Sequence, residues 1–310
     1  MQGNDRMLAV PQGPKPFRRV AVLKGGPSTE REVSLRSGTA VANGLRQAGY
    51  RVDEIDVTAP ALDVPGGVEA VFIALHGAFG EDGQMQSLLE SQRIPYTGSG
   101  VEASRVSFDK RLSKALMMRH AIPTPAFEVL TAGQPHSLPL PVVIKPPCQG
   151  STIGIHKVDA ESQWAAAFAD AVRYDGAVLV EAYIPGRELT VGVVGDSALP
   201  VIEIVAPNQW YDYDAKYSGT RGTQYLVQAP LNAETEASCK RIALATFRAL
   251  GCRGMGRIDF RMDPGGGLFV LELNNIPGFT ATSLLPKAAR CAGLEFPDLC
   301  DYIMRMARLD

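Results

Sequence analysis

The segment 256–278 constrains the fold of this chain more than any other. It contains two stretches, 256–261 and 270–278, in which apolar and polar residues alternate, and a run of Asp, Pro and three Gly lies between them. Alternation with a period of two is typical of strands, and Asp-Pro-Gly is typical of the loop between paired strands. The sequence predicts an antiparallel hairpin here, and we assume that Asp263 pairs with Leu268.

That pairing places polar side chains together on one face of the hairpin. Asp259 then lies opposite Glu272, and Arg257 lies opposite Asn274, with Cβ atoms roughly 5 Å apart. Two carboxylates and an amide oxygen are suitable ligands for Mg²⁺, which binds through a few carboxylates together with substrate phosphates. A solvated strand face is the alternative, and the hairpin alone leaves both interpretations open.

Length and composition indicate a globular protein of several domains. The chain has 310 residues, of which 45% are hydrophobic and 21% charged, and this length fits two or three domains. The net charge is -2 and the pI about 6.1, which argues against nucleic acid or an anionic membrane as a general partner. We expect a cytoplasmic protein, because the cysteine pattern favours a reducing compartment, and no apolar run approaches the roughly 20 residues of a membrane span.

The N-terminus and the cysteines agree with that location. Residues 1–18 are rich in Gly, Pro and Gln and predict a flexible extension, not a secretory signal. An odd number of cysteines without metal-type spacing favours reduced thiols. A catalytic cysteine is disfavoured because the four histidines form no obvious pair with any of them, although Cys148 sits in a glycine-containing loop. The five cysteines are Cys148, Cys239, Cys252, Cys291 and Cys300.

Residues 19–105 alternate between strand and helix patterns, which predicts a Rossmann-like parallel sheet. A glycine-rich turn joins the strand at 19–23 to a helix at 33–48, and this places backbone N–H groups at a binding crevice. Glu30 in that turn either caps the helix or holds a cationic ligand, and the residues alone favour the cap. His76 follows another strand and is placed for ligand binding, although a lone histidine is more often structural.

The remaining elements of this first region follow the same alternation. We predict strands at 51–57 and 70–75, a helix at 85–92, a closing strand and turn at 95–100, and a helix that carries Asp109, Lys110 and Lys114.

Residues 106–188 differ from the first region in sequence pattern, which predicts a second domain. The buried strand 142–145 ends in Lys145 and continues into a loop of small and hydroxyl residues at 147–154, which can bind phosphates through its N–H groups. The alternative is an ordinary hairpin with Lys145 extended to water. A helix at 160–172 and a strand at 177–184 follow, and the strand's tail with Glu188 suits an adenine edge and ribose hydroxyls.

Residues 189–310 form the predicted third domain. We expect strands at 189–194 and 199–205, a helix at 233–250 and a last helical region to 309. Between them, 208–224 is a long aromatic and glycine-rich stretch without periodicity, and such a loop in a compact domain is usually a lid.

Taken together, these residues resemble the D-alanine:D-alanine ligase family of the ATP-grasp superfamily, from about residue 19 to the end. Any one motif is weak, but six in family order are specific. The matching segments are 25–34, 75–77 with 80–83, 96–100, 145–146 with 150–151, 211–217, and 256–259 with 272–280.

The resemblance implies a three-domain ATP-grasp fold and ATP-dependent ligation of two D-alanines through an acylphosphate, for peptidoglycan precursors. It also implies a homodimer and two Mg²⁺ or Mn²⁺ ions that bridge the ATP phosphates. The implied metal ligands are Asp259, Glu272 and Asn274. The implied ATP-binding residues are Lys110, Lys145, Glu181, Ala182, Tyr183, Ile184, Glu188 and Lys216.

The resemblance likewise implies roles around the amino acids. Glu30 binds the first amino group, and Arg257 with the Gly278 N–H stabilises oxyanion charge. Ser283, with Leu284, holds the second carboxylate. The implied hydrogen-bonded set that joins the lid to the first domain is Ser151, Tyr217 and Glu30.

Three positions depart from the family pattern. Thr282 stands where a histidine is common, which leaves the shape of the second-substrate pocket open. Asp214 replaces Glu in the lid, and Thr152 stands in the phosphate loop where Ser-Ser-Val is usual. A D-alanine:D-lactate ligase is the nearest alternative, and Tyr217 weighs against it. Another ATP-grasp carboxylate-amine ligase and an inactive nucleotide-binding module are the remaining alternatives.

Overall fold

A computed structural model describes residues 9–150, 153–206 and 222–310. Its strands form three sheets, one parallel and two antiparallel, with helices packed against them. The predicted α/β class is confirmed. In these described ranges, no helix combines the length and the apolar character that crossing a membrane requires.

The first sheet is parallel and has the strand order β2-β1-β3. Helix α1 connects β1 to β2, and α2 follows β3. Residues 20–23 of the central strand are fully buried, as expected for a strand with a neighbour on each side and helices on its faces. The elements are β1 (Arg19–Gly25), α1 (Arg31–Gln47), β2 (Arg51–Val57), β3 (Ala70–Ile73) and α2 (Gln84–Ser91).

Two helices, not one, follow this sheet, and both Lys110 and Lys114 lie on the second of them. Helix α3 (Val101–Phe108) ends at Asp109, whose backbone is extended, and α4 (Lys110–Arg119) starts immediately after it. The Asp109 side chain accepts a hydrogen bond from the Arg111 N–H (2.9 Å), which caps α4. The prediction of one helix is therefore wrong, because Asp109 ends α3 and caps the N-terminus of α4.

The second sheet is antiparallel with the order β4-β7-β5-β6. Helix α5 covers one face, and its apolar residues form a separate small core with the sheet. The elements are β4 (Phe127–Thr131), β5 (Val142–Lys145), β6 (His156–Val158), α5 (Glu161–Asp175) and β7 (Ala177–Ala182).

The third sheet has the order β11-β10-β8-β12-β13, with β9 paired to β8. Helix α6 packs on this sheet, α7 lies against β8 and β11, and α8 packs against α1. The apolar residues of α7 and α8 belong to the same core as those of the first sheet. The elements are β8 (Arg187–Val194), β9 (Ser197–Ala198), β10 (Ile202–Val205), β11 (Gln224–Val227), α6 (Ala233–Ala249), β12 (Met255–Met262), β13 (Leu268–Asn274), α7 (Leu284–Cys291) and α8 (Phe296–Arg305).

The β12–β13 hairpin has the predicted pairing at its functional end and a different one at its loop. Leu268 pairs with Met262 and not with Asp263, so the assumed pairing is wrong by one residue. The register shifts at a bulge that leaves Leu271 without an opposite residue, and Asp259 then faces Glu272 as predicted. A bulge adds one residue to one strand, so the pairing beyond the bulge agrees with the predicted one despite the one-residue error at the loop.

Two further expectations differ in detail. The segment 95–100 forms only isolated bridges through Tyr96, to Val71 and to Arg308, and not a strand. Part of the expected flexible extension is attached to the fold, because the Arg305 guanidinium donates hydrogen bonds to the carbonyl oxygens of Gln12, Gly13 and Pro14 (3.1–3.4 Å).

Candidate active site

A cavity of about 700 Å³ opens where the three sheets meet. Its wall includes the end of β5, the polar face of the β12–β13 hairpin, and the loops that follow β1 and β3. Most of the predicted site residues within the described ranges line it, and Lys110 lies behind it. Those lining residues are Glu30, Lys145, Glu181, Ala182, Tyr183, Ile184, Glu188, Arg257, Asp259, Glu272, Asn274, Gly278, Ser283 and Leu284.

The hairpin face forms a hydrogen-bonded strip along one wall. Arg257 donates two hydrogen bonds to the Asp259 carboxylate (2.9 and 2.7 Å). Asn274 donates one (3.0 Å), and the buried Thr190 hydroxyl donates another (2.6 Å). The side chains of Arg257 and Asp259 are only 18% and 13% exposed, which excludes a fully solvated strand face.

Two lysines and a glutamate form a buried charge cluster at the end of β5. Glu181 on β7 makes ion pairs with both Lys114 and Lys145, and all three residues are buried. Burial alone would raise the pKa of Glu181, but the two ammonium groups hold it below the ordinary value. Lys145 is therefore part of the interior, and the alternative of a lysine extended to water is wrong.

A third lysine connects this cluster to the hairpin. Lys110 donates to the Gln149 carbonyl oxygen (2.7 Å), and its ammonium lies 3.2 Å from the Glu272 carboxylate. Burial would lower the pKa of Lys110, but Glu272 raises it above the ordinary value. The cavity therefore has a fixed positive charge beside a carboxylate, as an anionic ligand with a bound cation requires.

Glu30 lies between two glycines on another wall of the cavity. It occupies the N-cap position of α1, yet its side chain makes no capping hydrogen bond, so the favoured capping role is wrong. A Cβ atom added at Gly77 or Gly150 would lie 2.9 or 3.0 Å from its carboxylate oxygen Oε2. The loops after β1, β3 and β5 thus converge on one carboxylate, and only residues without a side chain leave room for it.

His76 connects the first sheet to the segment after β13. Its Nδ1 donates to the Ile276 carbonyl oxygen (3.1 Å), and its Nε2 lies 3.1 Å from the Ser37 hydroxyl. Glu81 lies 3.5 Å from the same ring, and burial raises the pKa of Glu81, with the His76 hydrogen bond opposing. The histidine is buried and serves to hold the first and third sheets together.

Helix α7 begins at the cavity beside Gly278. Ser283 is its N-cap residue, and its hydroxyl accepts a hydrogen bond from the Thr280 N–H (3.0 Å). A Cβ atom added at Gly278 would lie 3.4 Å from that hydroxyl. The Gly278 backbone, the Ser283 hydroxyl and the helix N-terminus therefore face one small region, which suits a carboxylate.

Comparison with known proteins gives a consistent result. The family models "D-ala D-ala ligase C-terminus" and "D-ala D-ala ligase N-terminus" match residues 116–305 and 59–99. The D-alanine–D-alanine ligases of Syntrophotalea carbinolica and Methylacidiphilum infernorum are 47% and 44% identical. The alignments cover 94% of this chain and 97% and 96% of those proteins.

The chain belongs to the D-alanine–D-alanine ligase family.

A solved structure supports the same fold. The D-alanine–D-alanine ligase from Bacillus anthracis complexed with ATP superposes with a TM-score of 0.81 at 30% identity, over 92% of this chain and 96% of that one. The predicted ATP-grasp fold is confirmed by this similarity.

Four predicted residues of the family pattern lie outside the described residues. These are Ser151, Asp214, Lys216 and Tyr217. The same holds for Thr152 and for most of the predicted lid at 208–224.

Several residues in and behind the family site were given no role by the sequence analysis. Arg261 lies on the same face of β12 as Arg257 and Asp259, so its position in the alternation was the available signal. Lys114 lies one turn after Lys110 on α4, and a fully buried lysine cannot be recognised from helix spacing alone. Glu81 could not be recognised from the sequence either, because only the tertiary structure places it against His76.

Cys148 has no sign of reactivity. Burial raises the pKa of its thiol to about 11, and the nearby Asp109 and Asp175 carboxylates add to this. A thiolate is the reactive form of cysteine, so this agrees with the expectation that the chain uses no catalytic cysteine.

Proposed function

We propose that this chain joins two molecules of D-alanine into D-alanyl-D-alanine, using ATP, for peptidoglycan precursor synthesis. The observation that carries the proposal is one cavity with a cationic, carboxylate-bearing end and a second end built around Glu30 and the start of α7. The family relationship supplies the substrates.

The cationic end suits the nucleotide. Lys110 and Lys145 face the position of the phosphates, and the carbonyl and N–H groups of residues 181–184 with Glu188 suit adenine and ribose. The Glu181 carboxylate, kept ionised by its two lysines, accepts a hydrogen bond from an exocyclic amine. Lys216 belongs to the same proposed set.

Mg²⁺ or Mn²⁺ ions fit the hairpin end of the cavity. Asp259, Glu272 and Asn274 supply oxygen donors, which magnesium prefers. In the described ranges there is no cluster of three His, Cys, Asp or Glu that could hold a metal ion alone. Asp259, Glu272 and Asn274 would hold ions that arrive with the nucleotide, and the ions would neutralise phosphate charge there.

The second end suits the amino acids. Glu30 pairs with the ammonium of the first D-alanine. A carboxylate oxygen of that D-alanine attacks the γ-phosphorus of ATP, which gives the D-alanine acylphosphate and ADP. The amine of the second D-alanine then attacks the acyl carbon, the bond to the phosphate oxygen breaks, and the amine gives up a proton as phosphate leaves. Arg257 and the Gly278 N–H stabilise the oxyanion that forms, and Ser283 with Leu284 holds the second carboxylate.

We also propose the domain arrangement 19–105, 106–188 and 189–310, with ATP between the second and third domains and the amino acids between the first and third. The segment 208–224 would cover the cavity, with Ser151 and Tyr217 connecting it to Glu30, because an acylphosphate must be kept from water. Assembly as a homodimer stays a prediction.

The test is Mg²⁺-dependent release of phosphate from ATP with D-alanine, and with D-alanine plus D-lactate, followed by mass spectrometry of the products. We expect D-alanyl-D-alanine in both mixtures. An ester of D-lactate as the main product would replace the proposed activity by that of a D-alanine:D-lactate ligase. Turnover only with other amino acids would retain the ligase chemistry and reject the substrate.

A further inference from the structure

Arg261 is a buried arginine on the cavity wall. It lies two residues beyond Asp259 on the same face of β12, and it is 7% exposed. Its Nε donates to the Ile184 carbonyl oxygen (3.0 Å), and its Nη2 donates to the Gly186 carbonyl oxygen (3.0 Å). One guanidinium therefore holds two backbone carbonyls of the turn between β7 and β8.

The same guanidinium contacts one side chain of that turn and one at the start of β8. Its Nη1 lies 3.4 Å from Glu188 Oε2, and its Nη2 lies 3.4 Å from the Tyr183 hydroxyl. The Tyr183 ring also has the Lys157 ammonium 4.5 Å from its centroid. A planar guanidinium with five donors can hold several acceptors in one fixed geometry, which an ammonium cannot do.

The backbone of the turn is packed tightly against β12. Gly186 has φ +113°, and a Cβ atom there would lie 2.2 Å from the Met262 carbonyl oxygen. In the β8–β12 pairing, Glu188 lies directly opposite Arg261. The turn thus rests on β12, and Arg261 is the side chain that joins the two from the cavity side.

We propose that Arg261 is a positioning residue that fixes the segment 183–188 and directs the Glu188 carboxylate toward the ribose hydroxyls of the nucleotide. Arg261 thereby sets the discrimination between a ribonucleotide and a nucleotide without those hydroxyls. This inference rests on the proposed function, in which the segment 181–184 and Glu188 hold the nucleoside.

The effect should appear in nucleotide discrimination more than in amino-acid binding. In the native protein, a hydrogen bond from a ribose hydroxyl to a carboxylate favours ATP over 2′,3′-dideoxy-ATP by about tenfold or more in kcat/KM. In Arg261→Met, Glu188 loses its contact with the Arg261 guanidinium, and the turn loses two hydrogen bonds to its carbonyl oxygens. The preference should then fall to about twofold or less, with the KM for D-alanine changed by less than about twofold.

Arg187→Met is the matched control. Arg187 is the first residue of β8, directly after the turn. Like Arg261 it pairs with a glutamate, here Glu203, through two hydrogen bonds (2.8 and 2.6 Å), but it does not line the cavity. The Arg187→Met variant therefore shows how loosening the start of β8 alone changes the preference for ATP. Arg261→Lys keeps a cation beside Glu188 without reaching both carbonyls, so it should retain an intermediate preference, and it carries the test if Arg261→Met does not fold.

The measurement is the steady-state kcat/KM for ATP and for 2′,3′-dideoxy-ATP, with the full-length chain, Mg²⁺ and saturating D-alanine. A preference that falls in the Arg261 variants and persists in Arg187→Met supports the inference. An unchanged preference in the Arg261 variants of an active enzyme overturns it while the proposed function stands. An equal fall in Arg187→Met also overturns it. A native chain that makes no dipeptide from D-alanine and ATP rejects the proposed function and the inference together.

Discussion

The buried lysine of the charge cluster gives a quantitative prediction about stability and pH. Lys114 is fully buried, makes an ion pair with Glu181 and donates a hydrogen bond to the Thr124 hydroxyl (2.6 Å). Burial lowers the pKa of Lys114 to about 8 from the ordinary 10.5, although Glu181 acts in the opposite direction. The folded state therefore releases this proton at a lower pH than the unfolded state.

The sign and size follow from proton linkage. Between pH 8 and pH 10.5 the unfolded chain keeps a proton that folded Lys114 has lost, so the free energy of unfolding rises with pH. The stabilisation gained when Lys114 is neutral in the folded protein is fully present above pH 10.5 and is lost as pH falls through about 8. At 1.36 kcal/mol per pKa unit, the difference in pKa corresponds to about 3 kcal/mol.

Lys114→Met isolates this contribution because methionine fills a similar volume without a titrating group. We would measure urea unfolding of both proteins at fixed ionic strength from pH 7.5 to 10.5 and extrapolate to water. The native protein should gain about 3 kcal/mol relative to the variant over this range. Lys110, whose pKa is shifted upward, is present in both proteins and so cancels in the difference.

A difference in unfolding free energy between the two proteins that stays constant from pH 8 to pH 10.5 would contradict a lowered pKa of Lys114. Lys114 would then titrate like an ordinary lysine, and its burial between α4 and the second sheet would not control its charge.

Three further substitutions test the site. Glu272→Gln should reduce turnover by about a thousandfold or more with unchanged circular dichroism, because it removes one of two carboxylates for the metal ions. The control is Glu102→Gln, at an exposed side chain on α3. Normal phosphate release by Glu272→Gln would reject the metal assignment. Gly150→Ala brings a methyl group to 3.0 Å from Glu30 Oε2 and should raise the KM for D-alanine about fivefold, more than it raises the KM for ATP. Gly66→Ala, with nothing within 4 Å, should change neither. An unchanged KM for D-alanine in Gly150→Ala would argue against Glu30 at the amino group. Thr190→Val removes the 2.6 Å hydrogen bond to Asp259 and should lower the free energy of unfolding by about 1 kcal/mol, which denaturation at pH 7 checks, and no loss would mean that Asp259 is held by its other partners alone.

The sequence predicted the parts of the fold that depend on local patterns. Alternation in β12 and β13 predicted the hairpin and placed Asp259 opposite Glu272. The bulge at Leu271 was not predictable, because it depends on how the loop closes and not on apolar spacing. The break between α3 and α4 was missed for a related reason, since Asp109 is compatible with a helix interior until its side chain caps the next helix.

The site was predicted chiefly from the family motifs, and the residues alone were less informative. Without those motifs, Glu30 was assigned to a cap and Lys145 could equally have reached water. The structure corrects both, because Gly77 and Gly150 leave space around Glu30 and Glu181 holds Lys145 inside. Contacts of this kind join distant segments, so neither propensity nor spacing reports them.

The most direct test of the central claim follows the oxygen atoms of D-alanine. The protein is incubated with ATP, Mg²⁺ and D-alanine labelled with ¹⁸O in its carboxylate, and the phosphate and dipeptide are analysed by mass spectrometry. We expect D-alanyl-D-alanine and phosphate that carries one ¹⁸O atom, because the carboxylate oxygen attacks the γ-phosphorus and leaves with it. Dipeptide formed together with unlabelled phosphate would contradict the acylphosphate route.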